Sequence, residues 1–339
     1  MKLNLEKKTY PIERIDNNKD KTVLCTAPLH FLPKIKNQLE KEYNVIYAFR
    51  SSREDVSGLL ESINAWIVDP GANYRVDRDL LSYAKNLEII VTPSTGRDHI
   101  DLDYCEENNI AFDGLRGKED IIENIHASAE FSFALLLAMV RHLVPSVLAA
   151  EQGYWREIED EFRGIEIGET KIGLIGYGRI GKKMARYSLA FGAEVFVYDP
   201  NVIVEEGTGI CQTETMDELL EKVDIVCLHV HLDKETYNMF SEKHFSIMQK
   251  GSYFLNTSRG GLADEDAMLA ALKSGHLAGA AVDVISGEQS EDFYNHKVIT
   301  YARENNNLLV SPHIAGLTVD SQGKSAQFSV DTINKFFKR

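Results

Sequence analysis

The stretch "GLIGYGRIG" places Gly176, Gly178 and Gly181 in a GxGxxG spacing, with strand-like "KIGLI" leading in and helix-like "RIGKKMARYSLAF" leading out. In that context the first glycine permits a tight turn and the second lets backbone approach a pyrophosphate. The third allows close packing of helix on strand, while the helix N-terminus supplies amide donors. The next apolar run, "EVFVY", ends at Asp199, 23 residues after Gly176. A carboxylate there accepts both hydroxyls of a ribose and repels a 2′-phosphate, which favours NAD over NADP. A glycine turn with an incidental surface aspartate is the bland alternative, and the strand–turn–helix context argues against it.

Three more segments carry groups able to do chemistry. "YFLNTSRGG" reads as a strand ending in Thr257, Ser258 and Arg259, with two glycines to keep the loop open. An arginine at the carboxyl end of a parallel strand faces the crevice where open α/β sheets bind ligands. Its planar fork suits a carboxylate and can polarise the carbonyl beside it. "AVDVISGEQ" offers Asp283 at a strand end and Glu288 five residues later. "SPHIAG" puts His313 at the mouth of a buried-looking strand, "NLLV". Alone, such a histidine is more often structural than catalytic. With a carboxylate beside it, the ring would be fixed in one tautomer and its protonated form favoured.

Elements of suitable kind are present to position these groups. Short apolar runs alternate with amphipathic stretches, the pattern of parallel sheets covered by helices. One series is "TVLCTA" from residue 22, "NVIYAF", "AWIV", "LEIIVT" and "IAF" at 110–112. The second is "KIGLIG", "EVFVYD", "VDIVCLHV", "YFLNT", "AGAAVDV" and "NLLVSP". Between them "ENIHASAEFSFALLLAMVRHL", 123–143, is apolar nearly all round and reads as one long helix that must be covered on several faces. The end of the chain places Phe328, Ile333 and Phe336 at helical spacing for a packing helix.

A length of 339 residues, 44% of them hydrophobic, exceeds what one core usually holds, so two domains are expected. With 37 basic and 52 acidic residues the formal charge is −15, which argues against nucleic acid as partner. An anionic substrate would need locally placed arginines. Cys25, Cys105, Cys211 and Cys227 show no metal or disulfide spacing. The charged start has no signal-peptide core, and "FSFALLLAMV" is about half a bilayer span. A soluble cytoplasmic protein, without membrane or metal, is expected.

The motifs "GLIGYGRIGKKMARYSLAFGAEVFVYDP", "NTSRGGLADEDAMLAALKSGHLAGAAVDV" and "SPHIAG", in this order, resemble the D-isomer-specific 2-hydroxyacid dehydrogenases. That family includes phosphoglycerate dehydrogenases and hydroxypyruvate reductases, and the likeness extends loosely through "STGRDHIDL" and "ASAEFSFALLLA". It implies two doubly wound parallel-sheet α/β domains: a Rossmann NAD-binding domain at 117–314 and a flavodoxin-like substrate domain at 1–116 with 315–339. The 123–143 helix would be the dimerisation element of a homodimer. It also implies that hydride moves between NAD(H) and C2 of a small D-2-hydroxy or 2-oxo acid. Arg259 would bind the substrate, His313 would exchange the proton on the C2 oxygen, and Glu288 would support His313. Asp283 would face the nicotinamide side, and Arg179, Ile180, Asp199, His231, Thr257 and Thr95 would line the NAD site.

The chain departs from the family pattern at several points. Ser94 stands where glycine is common, so it alters the loop expected to receive the substrate carboxylate or adds a hydroxyl donor there. Asp69-Pro70 follows "AWIV", where phosphoglycerate-type members carry an arginine, and Asn73, Tyr74 and Arg75 would then shape a different substrate pocket. His231 replaces a proline beside the adenine ribose. The alternative from another class is a non-catalytic, NAD-sensing interaction protein of corepressor type on the same fold.

Overall fold

A computed structural model describes residues 8–288 and 292–338. The chain divides into one unit of residues 1–125 with 318–339, and a second of residues 126–317. The divisions therefore fall at 125/126 and 317/318, whereas the motifs had suggested 116/117 and 314/315. The short helix Glu119–Ile122 stays with the first unit because Ile121, Ile122 and Ile125 pack into its core.

The first unit is a six-stranded sheet of β1 (Glu13–Ile15), β2 (Thr22–Cys25), β3 (Asn44–Tyr47), β4 (Ala65–Ile67), β5 (Ile89–Thr92) and β6 (Ala111–Gly114), ordered β1-β3-β2-β4-β5-β6. Setting aside β1, the parallel strands run 2-1-3-4-5, the flavodoxin order. Alternation along the strands explains why both faces are apolar. Val23, Cys25, Val45 and Ile67 face one cluster, with the helix Val319–Phe337 behind them; Leu24, Ile46, Trp66 and Ile90 face the other. That terminal helix buries Phe328 and Ile333 and half-buries Phe336. Thr318 caps it, accepting from Ser321 N. Strand β1, antiparallel to β3, escapes sequence reading because it is short and Glu13 and Arg14 are polar and exposed, so that pairing defines it.

The second unit is a seven-stranded sheet of β7 (Lys171–Ile175), β8 (Glu194–Tyr198), β9 (Ile210–Gln212), β10 (Ile225–Leu228), β11 (Ser252–Asn256), β12 (Leu277–Val282) and β13 (Leu308–Val310). Its order, β13-β12-β11-β10-β7-β8-β9, is the doubly wound 3-2-1-4-5-6 order with a seventh strand, parallel throughout. The strand order reverses between β7 and β10, which is where such sheets open a crevice at the strands' carboxyl ends.

The expected 123–143 helix is not continuous. It begins at Ala127, ends at Val140, and a second helix, Leu143–Glu151, leaves it at 65°. His142, at φ 47°, makes the break. The first helix buries Phe133, Leu136, Met139 and Val140 on the sheet. The second buries nothing and leaves Leu143, Val144, Val147 and Leu148 exposed. Among the described residues no single helix is long and apolar enough to cross a membrane; this bent pair passes by length and composition only.

Candidate active site

The glycine turn has the geometry its sequence suggests. Gly176 sits at φ +95°, and a Cβ there would lie 2.5 Å from the carbonyl oxygen of His229. A Cβ on Gly181 would lie 2.2 Å from Gly176 O, so both positions demand glycine for close approach. At Gly178 a Cβ would meet nothing within 4 Å. The middle of the turn is therefore open space in front of the helix Arg179–Ala190, whose first amides and positive dipole end face it. Arg179 and Ile180 form the first turn of that helix. Asp199 follows β8, and Tyr177 N donates to its Oδ2 at 2.8 Å while Asn201 N donates to Oδ1 at 2.9 Å. These bonds hold the carboxylate at the rim of the turn, with lone pairs left for a ribose. The residues present fit a dinucleotide.

Arg259, Glu288 and His313 follow β11, β12 and β13, three neighbours in the sheet, at their carboxyl ends. Each loop is braced. Asn256 accepts from Ser258 N at 3.0 Å and donates to Arg259 O at 2.9 Å. A Cβ on Gly260 would lie 2.0 Å from Ile285 C, so the arginine loop rests directly on the backbone leading to Glu288. Glu288 Oε1 accepts from Ile285 N at 3.0 Å, and Oε2 lies 2.5 Å from His313 Nδ1. With a carboxylate as its partner, Nδ1 is the donor, and Nε2 lies outside this pair. His313 and Glu288 are both partly solvent-exposed.

His313 is one of few non-glycine residues with positive φ, at 54°. Asp283 holds it there. The Asp283 carboxylate is fully buried and accepts from Ser311 Oγ at 2.5 Å, Ile314 N at 3.0 Å and Ala315 N at 2.8 Å. Its backbone carbonyl accepts from His313 N at 2.8 Å. The resemblance placed Asp283 toward the nicotinamide; its carboxylate is here engaged in shaping the histidine turn, and only residual lone pairs are left for a ligand. No spacing rule signals this role.

Thr257 shares a 2.6 Å hydrogen bond with Ser132, which also donates to Ser128 O at 2.6 Å. The proton of Ser132 is thereby assigned, so Thr257 is the donor to it. His231 is exposed, three residues beyond β10. All of these lie in the second unit. Ser94, Thr95 and Asn73 lie in the first, after β5 and β4. Ser94 Oγ donates to Gly96 O at 2.7 Å, so the added hydroxyl donor expected from the sequence is already committed within its own loop. Asn73 is exposed. Asp69 donates its backbone N–H to Thr26 Oγ1 at 3.0 Å and accepts from Gly71 N at 2.9 Å. Burial pushes its carboxyl up to about 6.

Residues 133–315 match the model of the D-isomer specific 2-hydroxyacid dehydrogenase, NAD binding domain, and residues 23–112 that of the catalytic domain. A glyoxylate reductase of Thermofilum pendens is 34% identical over 259 residues, covering 75% of this chain and 73% of that one. A hydroxypyruvate reductase of Thermotoga maritima is 26% identical over 301 residues, covering 88% and 92%. The structure of a D-lactate dehydrogenase from Aquifex aeolicus, complexed with NAD and lactic acid, matches with TM-score 0.78 at 28% identity over 94% of this chain and 95% of that one. These relatives are reductases or dehydrogenases, which leaves the corepressor-type alternative without support. With the glycine turn, the strand-end groups and both domain matches in register, the chain belongs to the D-isomer specific 2-hydroxyacid dehydrogenases, as an NAD-dependent oxidoreductase.

Proposed function

We propose that the chain interconverts a small D-2-hydroxy acid and its 2-oxo acid, with Arg259, His313 and Glu288 as the working groups. The observation that carries this is the Glu288–His313 pair, 2.5 Å apart, at the end of the strands next to the one that delivers Arg259. Bound NAD(H) supplies or takes up the hydride at C2. Arg259 receives the substrate carboxylate with its fork and polarises the C2 carbonyl beside it. His313 Nε2 donates a proton to the C2 oxygen on reduction and removes it on oxidation. Glu288 accepts from Nδ1 throughout and stabilises the ring while it carries the extra proton. Asp283 keeps the histidine turn in its left-handed shape so that Nε2 stays aimed. Gly176, Gly178, Gly181, Arg179, Ile180, Asp199, His231, Thr257 and Thr95 hold the cofactor. Ser94, through the backbone amides of its loop, and Asn73 contact the substrate. Residues of the first unit thus form the substrate domain and those of the second the NAD-binding domain.

We assign the working form as a cytoplasmic homodimer. The support is the face of Leu143–Glu151, which leaves Leu143, Val144, Val147 and Leu148 exposed beside Tyr154 and a 74%-exposed Trp155. Each such side chain gains about 1.5–3 kcal/mol on full burial, so a second copy is the economical cover. A panel of glyoxylate, hydroxypyruvate and pyruvate, each followed by NADH oxidation, tests the catalytic reading. Turnover of at least one is expected, and failure across a broad 2-oxo acid panel by NADH-binding protein would end it.

A further inference from the structure

Glu288 holds His313, yet Glu288 itself stands on a loop, the kind of segment that moves unless something fixes it. Its Oε1 accepts from Ile285 N and its Oε2 meets His313 Nδ1, so its place depends on the backbone at 285–286. That backbone is gripped from outside the loop. Ser286 N donates to Glu265 Oε1 at 2.6 Å, and Ser286 O lies 3.1 Å from His296 Nε2. Val298 N donates to His296 Nδ1 at 3.3 Å, which makes Nδ1 an acceptor and leaves the ring proton on Nε2. His296 is therefore the donor to Ser286 O.

Each grip comes from the start of a helix. Glu265 opens the helix Glu265–Lys273, and His296 caps the helix Lys297–Glu304. Glu265 is 8% exposed, and its Oε2 lies 3.7 Å from both His296 Nε2 and Lys297 Nζ. A buried carboxylate is costly unless it is paired, and the Ser286 N–H gives this one a short, charge-assisted bond. A Cβ on Gly260 would lie 2.4 Å from Ser286 N. The segment 260–265, which follows Arg259, thus touches the same peptide at both of its ends.

We infer that Glu265 and His296 are positioning residues, which clamp the Ser286 peptide between two helix starts and so set Glu288 against His313. The inference rests on the proposed roles of Glu288 and His313. Glu265→Ala should lower kcat for 2-oxo acid reduction about tenfold, with KM and NADH affinity within about twofold of wild type. Glu265→Gln keeps an oxygen for Ser286 N and should restore most of kcat. In a Glu288→Gln background Glu265→Ala should cost little more, because the group it positions has been altered. Nitrogen-15 spectra of histidine-labelled chain give a readout that needs no turnover. The Nδ1 signal of His313, identified by its absence in His313→Gln, should move in Glu265→Ala toward its position in Glu288→Gln. In Glu265→Gln it should stay in place.

An unmoved His313 signal in Glu265→Ala would overturn the inference, as would fully additive losses in the double variant or an equal loss of NADH affinity. A merely structural Glu265 forecasts a lower melting point with normal kcat per folded molecule, and that result would overturn it too. If Glu265→Ala does not fold, His296→Phe removes the donor to Ser286 O and goes through the same measurements. A wild type inert toward every 2-oxo acid would end the dehydrogenase chemistry, and the His313 signal alone would then decide the clamp.

Discussion

His313 works only if Nε2 is free and Nδ1 is held, and Glu288 supplies that condition. His313→Ala should lower turnover about 10²–10⁴-fold, the usual scale of positioned proton transfer. This corresponds to roughly 3–5 kcal/mol at the transition state. Binding of NADH, measured by titration, should persist, since the glycine turn lies on other strands. Near wild-type turnover per folded molecule would show that His313 is structural. Glu288→Gln should cost less, and Arg259→Lys should chiefly raise KM, because a point charge cannot reproduce the fork. Asp199→Gly should narrow the preference for NADH over NADPH in paired binding titrations, and an unchanged ratio would place the selectivity elsewhere. Asp69 gives a stability prediction. Its carboxyl is raised from the ordinary 3.8 to about 6, so the folded state binds its proton more tightly than the unfolded state. Ionisation then destabilises the fold above pH 6, and the penalty vanishes below about pH 4. Asp69→Asn should stabilise by on the order of 2 kcal/mol at pH 7.5 and by little at pH 4, read by urea unfolding at both. Equal effects at the two pH values would refute the buried-acid account.

At the scale of elements, the histidine turn depends on Asp283. Four hydrogen bonds converge on this one residue, three at its carboxylate and one at its carbonyl. Asp283→Ala should let the 311–316 turn relax and lower kcat by about 10²-fold or more, the cost of misplacing a reacting group by about 1 Å. Cofactor affinity should fall much less than kcat, which single-turnover kinetics and NADH titration would separate. Equal losses in both would instead assign Asp283 a direct cofactor contact. Motif reading finds Asp283 but not its task, because the task is defined by a hydroxyl 28 residues later in the chain and amides 31 and 32 residues later. The helix break at His142 was equally hidden. The sequence 123–143 is apolar nearly all round, and no proline or glycine interrupts it before Pro145.

For the whole molecule, the exposed apolar face of Leu143–Glu151 predicts self-association. Light scattering at micromolar concentration should give about twice the 38.2 kDa chain mass. Val147→Glu with Leu148→Lys should yield monomers, since charges on that face cannot be buried unpaired. A monomeric wild type would leave the face unexplained and end the dimer assignment.

What the sequence determined by itself is the local chemistry and the two α/β series. The glycine spacing, Asp199, Arg259, Glu288 and His313 are legible because each lies in a short motif beside an apolar strand, and period-two and helical patterns survive in isolation. Strand order, by contrast, is a matter of which apolar edges meet, and nothing local in "TVLCTA" or "KIGLIG" encodes its neighbours. Only the tertiary structure brought β11, β12 and β13 side by side, and so set Glu288 against a histidine 25 residues on. It also decided that Asp283 is buried under the turn and that both ring nitrogens of His229 are enclosed with no partner among the described residues. Burial and hydrogen-bond satisfaction are properties of the packed surroundings, so groups separated along the chain acquire them only when the sheet forms.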